Sequence, residues 1–286
     1  MARIALVTCR VLPEPDPDQD LLLGALRGAG MEAHMLAWDD PDADPSVFDV
    51  CVLRSTWNYH RAPAAFLEWI DRAAASSRVV NPPAVVRWNV HKGYLRELER
   101  AGVPVIPTAW FARGAAADLR RTMEERGWDD VVVKPAVSAG SFGTERFARG
   151  TVESGQAFLE GVVAERDAMV QRYMRGVEEP GERAVVCIDG LLTHAVVKAP
   201  RFSGGVERVS GATPVYEGER AVAAHALSCV GGALLYARID LVAGDDGAPV
   251  LSELELVEPS LFLLQHPPAL ARLVAAISRI VEEKPK

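Results

Sequence analysis

The sequence predicts a mixed α/β (α+β) fold in three lobes, and three observations predict it. Short β-branched apolar runs alternate with amphipathic segments over the first 81 residues, which suggests an open α/β lobe. From 131 to 199 the pattern becomes strand-rich around Asp189 and Gly190. Two further apolar runs, 237 to 242 and 249 to 256, flank Asp246 and Gly247, and Asp-Gly between strand-like runs is the strongest short hairpin signal.

Taken in order, residues 3 to 8 read as a strand of the kind buried in a parallel sheet. Asp16 and Asp18 precede a helix at 21 to 27 that Gly28 and Gly30 stop. Strands follow at 31 to 38 and 49 to 54, and a helix with Phe66, Leu67 and Ile70 on one stripe follows Pro63. Pro82 and Pro83 mark a break. A central lobe, 82 to 130, then opens with a helix at 90 to 101 closed by Gly102 and a strand at 103 to 111. The third lobe, 131 to 286, divides at about 180. Its strands are expected at 131 to 136, 169 to 174, 183 to 188 and 191 to 199. Helices are expected at 115 to 126, 152 to 163, 219 to 229 and 268 to 283.

Composition narrows the function. The chain has 286 residues, 49% of them apolar, which is enough for a sizeable core in two or three modules. A formal net charge of -8 argues against nucleic acid or an anionic membrane as the main partner, because both attract clustered cations. Cys9, Cys51, Cys187 and Cys229 are too scattered for a disulfide framework or a C-x-x-C site and are expected as reduced, mostly buried thiols. The apolar stretch after Met1 is interrupted by Arg3 and runs into Pro13, so it does not read as a signal peptide, and no run approaches the ~20 apolar residues that span a bilayer. A cytoplasmic address is the expectation, with a homo-oligomer compatible with it.

The hairpin at 237 to 256 is the most informative stretch. If Asp246 and Gly247 form a two-residue turn, Asp240 faces Glu253 and Arg238 faces Glu255, and alternation puts all four on one face. Three carboxylates on one patch repel, each close pair by about 1 kcal/mol in water and roughly 4 in a protein-like medium. Arg238 offsets part of that. Hard oxygens beside a phosphate-bearing substrate are also what Mg²⁺ accepts. A solvated polar face fits the same pattern.

Lys134 ends the apolar run 131 to 133 and precedes Ser138, Gly140 and Ser141, a small-residue loop whose N-H groups can approach phosphate oxygens. No P-loop or Rossmann glycine pattern is present. Gln171, Arg172, Tyr173 and Met174 end another apolar run and lead to Glu179 and Glu182, a segment able to hold an adenine and its ribose. Lys198 and Arg201 are further cations for phosphate oxygens. Thr8 and Arg10, and Arg54, Ser55, Thr56, Trp57 and Tyr59, each follow a predicted strand, where open α/β sheets bind ligands, and an arginine beside Trp and Tyr suits an amino-acid carboxylate. Ser260 beside the apolar run 261 to 264 is a candidate for the substrate wall, although the run itself reads best as core. The six histidines show no metal-binding spacing, and no G-x-S-x-G elbow is present.

Together these segments resemble the ATP-grasp superfamily over about 81 to 262. The resemblance extends to bacterial glutathione synthetase and RimK-type glutamate ligases. Asn81, Pro82 and the run Asn89 to Leu95, then Gly102 to Thr108, carry it along with the stretches above. The resemblance implies a nucleotide between two antiparallel sheets, with Lys92 and Lys134 on the phosphates, Gln171 to Met174 on the adenine and Glu179 or Glu182 on the ribose. It implies Asp240, Glu253 and Glu255 as ligands of Mg²⁺, two ions in number and replaceable by Mn²⁺, although the last position is usually asparagine. Arg238 matches the arginine that contacts the transferred phosphoryl group. The N-terminal signature resembles a subgroup that cyclises O-ureido-serine to cycloserine, a route to an antibiotic.

The activity so implied is ATP-dependent C-N ligation through an acyl phosphate on a small amino-acid-like carboxylate, with the loops at 138 to 143 and 201 to 211 as lids. An intermolecular peptide or glutamate ligase is the first alternative. A non-catalytic ATP-binding sensor is the second, and it predicts ATP binding without substrate-stimulated ADP release.

Overall fold

A computed structural model describes residues 1 to 199 and 208 to 283. The first sheet is parallel, with strand order β2-β1-β3-β4: β1 (Arg3–Thr8), β2 (Glu32–Ala37), β3 (Val50–Ser55) and β4 (Arg78–Val80). It is buried on both sides, as continuous apolar runs demand. Ile4, Leu6, Val50 and Val52 pack with Leu22 and Leu26 of α1 (Gln19–Gly28) and with Leu273 and Ile277 of α8 (Pro267–Glu282). Ala5, Val7, Cys51 and Leu53 face Phe66, Trp69 and Ile70 of α2 (Pro63–Ser76). The C-terminal helix thus closes the N-terminal lobe.

Two antiparallel sheets follow. One has the order β5-β8-β6-β7: β5 (Thr108–Phe111), β6 (Asp130–Pro135), β7 (Glu145–Ala148) and β8 (Ala168–Arg172). It is covered by α5 (Leu119–Arg126) and α6 (Val152–Glu165). Because β5 pairs with β8, this sheet crosses the boundary expected at 130, so the stretch 82 to 130 has no sheet of its own. The short β4 and β7 were not foreseen, since neither offers more than three or four residues of pattern.

The other sheet has the order β10-β9-β11-β12: β9 (Glu182–Ile188), β10 (Leu191–Lys198), β11 (Tyr236–Ala243) and β12 (Pro249–Glu255). Asp189 and Gly190 both take positive φ, 51° and 73°, and turn β9 into β10 as expected. One face of the sheet packs against α7 (Glu217–Ser228) and against α3 (Pro83–Asn89) and α4 (Tyr94–Arg100).

The helix expected at 90 to 101 starts only at Tyr94, as α4, and a break at 90 to 93 separates it from the preceding α3. The break frees the Lys92 N-H to donate to the Ala136 carbonyl at 2.8 Å, which ties the lysine to the end of β6. The strand expected at 103 to 111 shortens to β5. Its first part runs extended and donates and accepts through single bonds to β12, such as Ile106 N to Leu251 O at 3.0 Å.

The β11–β12 hairpin pairs Asp240 with Glu253 and Arg238 with Glu255, but the turn differs from the expected one. Asp245, Asp246 and Gly247 form the loop, closed by Gly244 N to Ala248 O at 2.8 Å, with Gly247 at φ 80°. A bulge at Ser252 then shifts the register back by one residue. The two departures cancel, so the carboxylates still face each other. Of the run at 261 to 264, Leu261, Phe262 and Leu263 are core while Leu264 is exposed. Cys9, Cys51 and Cys187 are buried free thiols and Cys229 is exposed.

Candidate active site

A cleft of about 450 Å³ opens between the two antiparallel sheets and the loop after β3. Lys92, Lys134, Ser138, Gly140, Ser141, Gln171, Arg172, Tyr173, Met174, Glu182, Lys198, Arg238, Glu253, Glu255, Trp57 and Ser260 all line it. Residues as far apart in sequence as Trp57, Lys134 and Ser260 are therefore brought to one space.

The cations differ in how they are held. Lys92 Nζ lies 2.7 Å from Glu253 and donates to the Ser138 carbonyl at 2.9 Å. Burial opposes its charge, but Glu253 outweighs burial and the pKa is raised. Lys134, on β6, is buried and has no ion pair among the described residues; burial lowers its pKa, with Glu253 countering in part. Lys198 Nζ lies 2.7 Å from Asp240 and 3.2 Å from Glu182, which hold its pKa up against burial. Arg238 grips Asp240 with both Nε (2.8 Å) and Nη2 (2.9 Å) and also reaches Glu255.

The carboxylates divide accordingly. Burial would raise Asp240, but Arg238 and Lys198 hold it low, at about 2. Glu253 is likewise lowered by Lys92 and Lys134 against burial. Glu255 is pushed up to about 7 by burial and by Asp240 and Glu253, in spite of Arg238. Glu258 is pushed up to about 8 by burial, Glu255 and Glu253. At the acidic end of the cleft, burial and mutual repulsion thus disfavour the charged forms of Glu255 and Glu258.

Three of the expected metal ligands, Asp240, Glu253 and Glu255, do not converge as a ready cage: among the described residues no group of three acidic, His or Cys side chains is arranged to hold a metal ion. Each is instead clasped by a lysine or arginine, and Asp240 lies 1% exposed behind Lys198 and Arg238. The donor chemistry nonetheless fits Mg²⁺, which takes one or two carboxylates and fills its shell with phosphate oxygens and waters. The crowded, raised carboxyls of Glu255 and Glu258 are what a divalent cation would relieve.

The adenine end also fits a base. Gln171 is buried with its Nε2 lacking a hydrogen-bond partner, and it lines the cleft. The loop after β6 turns through Gly140, Ser141 and Gly143, all at positive φ of 58°, 61° and 63°. Glu182, at the start of β9, borders the cleft, whereas Glu179 is exposed and does not line it.

The substrate residues expected at the strand ends behave differently. Trp57 and Ser260 reach the cleft; Thr8, Arg10, Arg54, Ser55, Thr56 and Tyr59 do not line it. Ser55 Oγ donates to Thr8 Oγ1 at 3.0 Å inside the N-terminal lobe. Arg54 is 3% exposed over the Tyr236 ring, with Nη1 unpaired, and Thr56 Oγ1 is also buried without a partner. Tyr59 stacks on Phe66 at 5.2 Å, and Arg10 is exposed. Because β3 is buried on both faces, the side chains at its end stay covered. Arg201 and most of the expected second lid lie outside the described residues.

Sequence reasoning missed Glu258, His60 and the bulged Ser252, all in the cleft wall, and Phe142 was included only as part of the loop 138 to 143. Glu258 lies past the end of β12 and off its alternation, so no sequence signal marked it, whereas His60 directly follows the chosen run Arg54 to Tyr59.

Residues 4–81 match the family described as D-cycloserine synthetase DcsG, N-terminal domain. The cycloserine biosynthesis protein DcsG of Streptomyces lavendulae is 35% identical over 279 residues, covering 92% of this chain and 93% of the relative. The crystal structure of D-cycloserine synthetase DcsG superposes with a TM-score of 0.90 at 32% identity, over 98% of this chain and 100% of that one. The ATP-grasp ligase PsnB, in complex with a minimal precursor, Mg and ADP, shares the fold with a TM-score of 0.64 at 19% identity, covering 96% of this chain and 98% of that one. With its cleft between two antiparallel sheets and a relative alike along nearly its full length, the chain belongs to the DcsG family and is an ATP-grasp enzyme that joins carbon to nitrogen.

Proposed function

We propose that the chain is an ATP- and Mg²⁺-dependent cyclo-ligase that closes a ring within a small amino acid of the O-ureido-serine type, giving a cycloserine-like product in an antibiotic pathway. The observation that carries this reading is the juxtaposition of Lys92, Lys134, Lys198 and Arg238 with Glu253 and Glu255 in one cleft. Identity to DcsG across 92% of the chain supports the substrate class.

In this reading Lys92 and Lys134 bind the phosphate oxygens of ATP, with the N-H groups around Ser138, Gly140 and Ser141 closing on them. The base lies on Gln171 to Met174, where the unpaired Gln171 amide supplies a donor, and Glu182 rather than Glu179 takes the ribose. Arg238 and Lys198 turn from Asp240 toward the phosphoryl group as it passes to the substrate carboxylate. That is positioning and charge neutralisation, the work phosphoryl transfer requires.

Asp240, Glu253 and Glu255 are proposed to hold two Mg²⁺ ions, with Mn²⁺ able to replace them, once substrate phosphates draw the lysines away. The metal supplies electrostatic stabilisation of charge on the transferring group. The substrate's ring-closing nitrogen then attacks the acyl carbon and phosphate leaves, and hydrolytic loss of the ureido carbamoyl group as carbon dioxide and ammonia gives the free cycloserine ring. Phe142, whose ring lies 4.6 Å from that of His60, bridges the glycine loop to the N-terminal lobe and helps keep water from the anhydride. Trp57 and Ser260 border the substrate; Thr8, Arg10, Arg54, Ser55, Thr56 and Tyr59 support that wall from behind, and Arg201 is proposed to close over it. No helix among the described residues is long and apolar enough to cross a membrane, and a cytoplasmic enzyme is proposed.

The test is coupled ADP release across amino acids and their ureido derivatives, with the product weighed. A product lighter than a single substrate by one water, or by one water together with the carbamoyl group when an O-ureido-serine yields the free cycloserine ring, supports ring closure. The summed mass of two substrates less water makes the enzyme an intermolecular ligase. ATP binding without substrate-stimulated ADP release would leave only a sensor.

A further inference from the structure

The cleft is polarised. Its floor, between the antiparallel sheets, pairs its cations with Glu182, Glu253 and Glu255 while Lys134 stays unpaired among the described residues, whereas the wall next to the N-terminal lobe carries Trp57, His60 and Arg61, with Glu258 beside them. Glu258 lies just beyond β12, lines the cleft, is 7% exposed and has no ion pair among the described residues. Lys92, the cation nearest in kind, is committed to Glu253 at 2.7 Å.

Two aromatic residues on the loop after β3 fix Glu258 in place. The Trp57 indole N-H donates to its backbone carbonyl at 2.9 Å, and the Tyr59 hydroxyl donates to its carboxylate. Trp57 also fixes His60. The Trp57 carbonyl lies 3.1 Å from His60 Nδ1 and can only accept, so the proton sits on Nδ1 and Nε2 is left as an acceptor. That Nε2 is buried without any hydrogen-bond partner, on a side chain 6% exposed that also lines the cleft. Both acceptors are thus held through one residue, Trp57; His60 Nε2 lacks the donor its burial requires, and the Glu258 carboxylate has a hydroxyl donor but no cation among the described residues.

An α-amino acid carries its carboxylate and its ammonium on a single carbon. A site that draws the carboxylate toward Arg238 must place an acceptor beside it for the ammonium. Glu258 stands three residues after Glu255, which Arg238 holds. Resting on the ligase reading above, we propose that Glu258, seconded by His60, is the receptor for the protonated amino group of the substrate. The ammonium supplies the cation that Glu258 lacks and a donor for the unpartnered His60 Nε2. This makes the amino group, rather than the ring-closing end of the molecule, the main mark by which the enzyme tells its substrate from other small carboxylates.

The experiment compares ADP release with an O-ureido-serine and with its α-hydroxy analogue, in which a hydroxyl replaces the amine. The wild-type enzyme is expected to prefer the amino compound by about 100-fold in kcat/KM. Glu258→Gln is expected to lower kcat/KM for the amino compound about 100-fold, to leave the KM for ATP within about twofold, and to bring the preference close to unity. Glu258→Asp should recover part of it. Equal use of both compounds by the wild-type enzyme overturns the proposal, and so does a Glu258→Gln enzyme that keeps the preference while requiring more Mg²⁺, since that places Glu258 on the metal. If Glu258→Gln does not fold, the wild-type preference and the Glu258→Asp enzyme still decide. Product mass reports ring closure independently, so an intermolecular product would overturn the cyclo-ligase reading and leave the amino receptor standing.

Discussion

Lys198 Nζ lies 2.7 Å from the carboxylate of Asp240, which is gripped from its other side by the guanidinium of Arg238. Asp240 is the most deeply buried charge of the cleft, and it parks two cations that the chemistry needs elsewhere. Binding of a polyphosphate is then an exchange of partners rather than the entry of charge into an empty hole.

Replacing Asp240 by Asn would leave Lys198 and Arg238 facing each other with one acceptor charge fewer. Removing one partner of a buried pair costs about 3 to 5 kcal/mol. Asp240→Asn is therefore expected to lose about 3 kcal/mol of stability in urea unfolding and to abolish ADP release. Added ATP should narrow the stability gap, because its phosphates re-pair the cations. A variant as stable as the wild type without nucleotide would contradict this.

Lys134 makes the opposite case. Its charge is buried without a counter-ion among the described residues, a cost the ligand-free protein carries for the nucleotide. Lys134→Met keeps the length and removes the charge. The melting temperature without nucleotide is expected to hold or rise, while the Kd for ATP rises at least about tenfold, the loss of one charge-assisted hydrogen bond. Reduced stability with unchanged ATP affinity would make Lys134 a structural residue.

How much of this was legible in the sequence depends on the range of the interaction. The pairing of Asp240 with Glu253 could be read because strand alternation and an Asp-Gly turn are local, and it survived a wrong turn only because the bulge at Ser252 compensated for the longer loop. The break before Lys92 could not be read, since a bond to Ala136 in another sheet causes it. Arg54 and Thr56 carried the chemistry of a site, but Tyr236 and the loop after β1 cover them, and burial is decided by what folds over a strand end rather than by the strand. Glu258 and His60 lie in irregular segments with no period to reveal their direction.

The adenine hinge presses against the acidic hairpin at Gly176. A Cβ there would collide with the carbonyl oxygen and nitrogen of Ala243, backbone atoms that cannot swing aside. Gly176→Ala is expected to lower stability by about 2 kcal/mol or more through overpacking and to weaken ATP binding as the hinge is displaced. Gly161→Ala serves as the control: nothing lies within 4 Å of its added methyl, it sits inside α6, and helix propensity predicts a gain of about 1 kcal/mol. Equal effects of the two substitutions would rule out the close approach.

His194, on β10, is 1% exposed, stacks on His266 at 4.7 Å and has a buried Nε2 without a partner. Burial, and then the neighbouring His266, lowers its pKa from 6.5 to about 4. Between those values the unfolded chain binds close to one more proton at this position than the folded protein does. Stability therefore rises with pH across that window, is fully present above 6.5, and is lost as the pH falls toward 4. His194→Phe, which keeps an aromatic ring against His266 and cannot be protonated, is expected to flatten the slope of unfolding free energy against pH by nearly one proton between pH 4 and 6.5. The measurement is urea unfolding at half-unit pH steps for both proteins. Parallel curves would show that His194 is protonated alike in the folded and unfolded states, and that its burial has no hold on the acid stability of the sheet bearing Lys198.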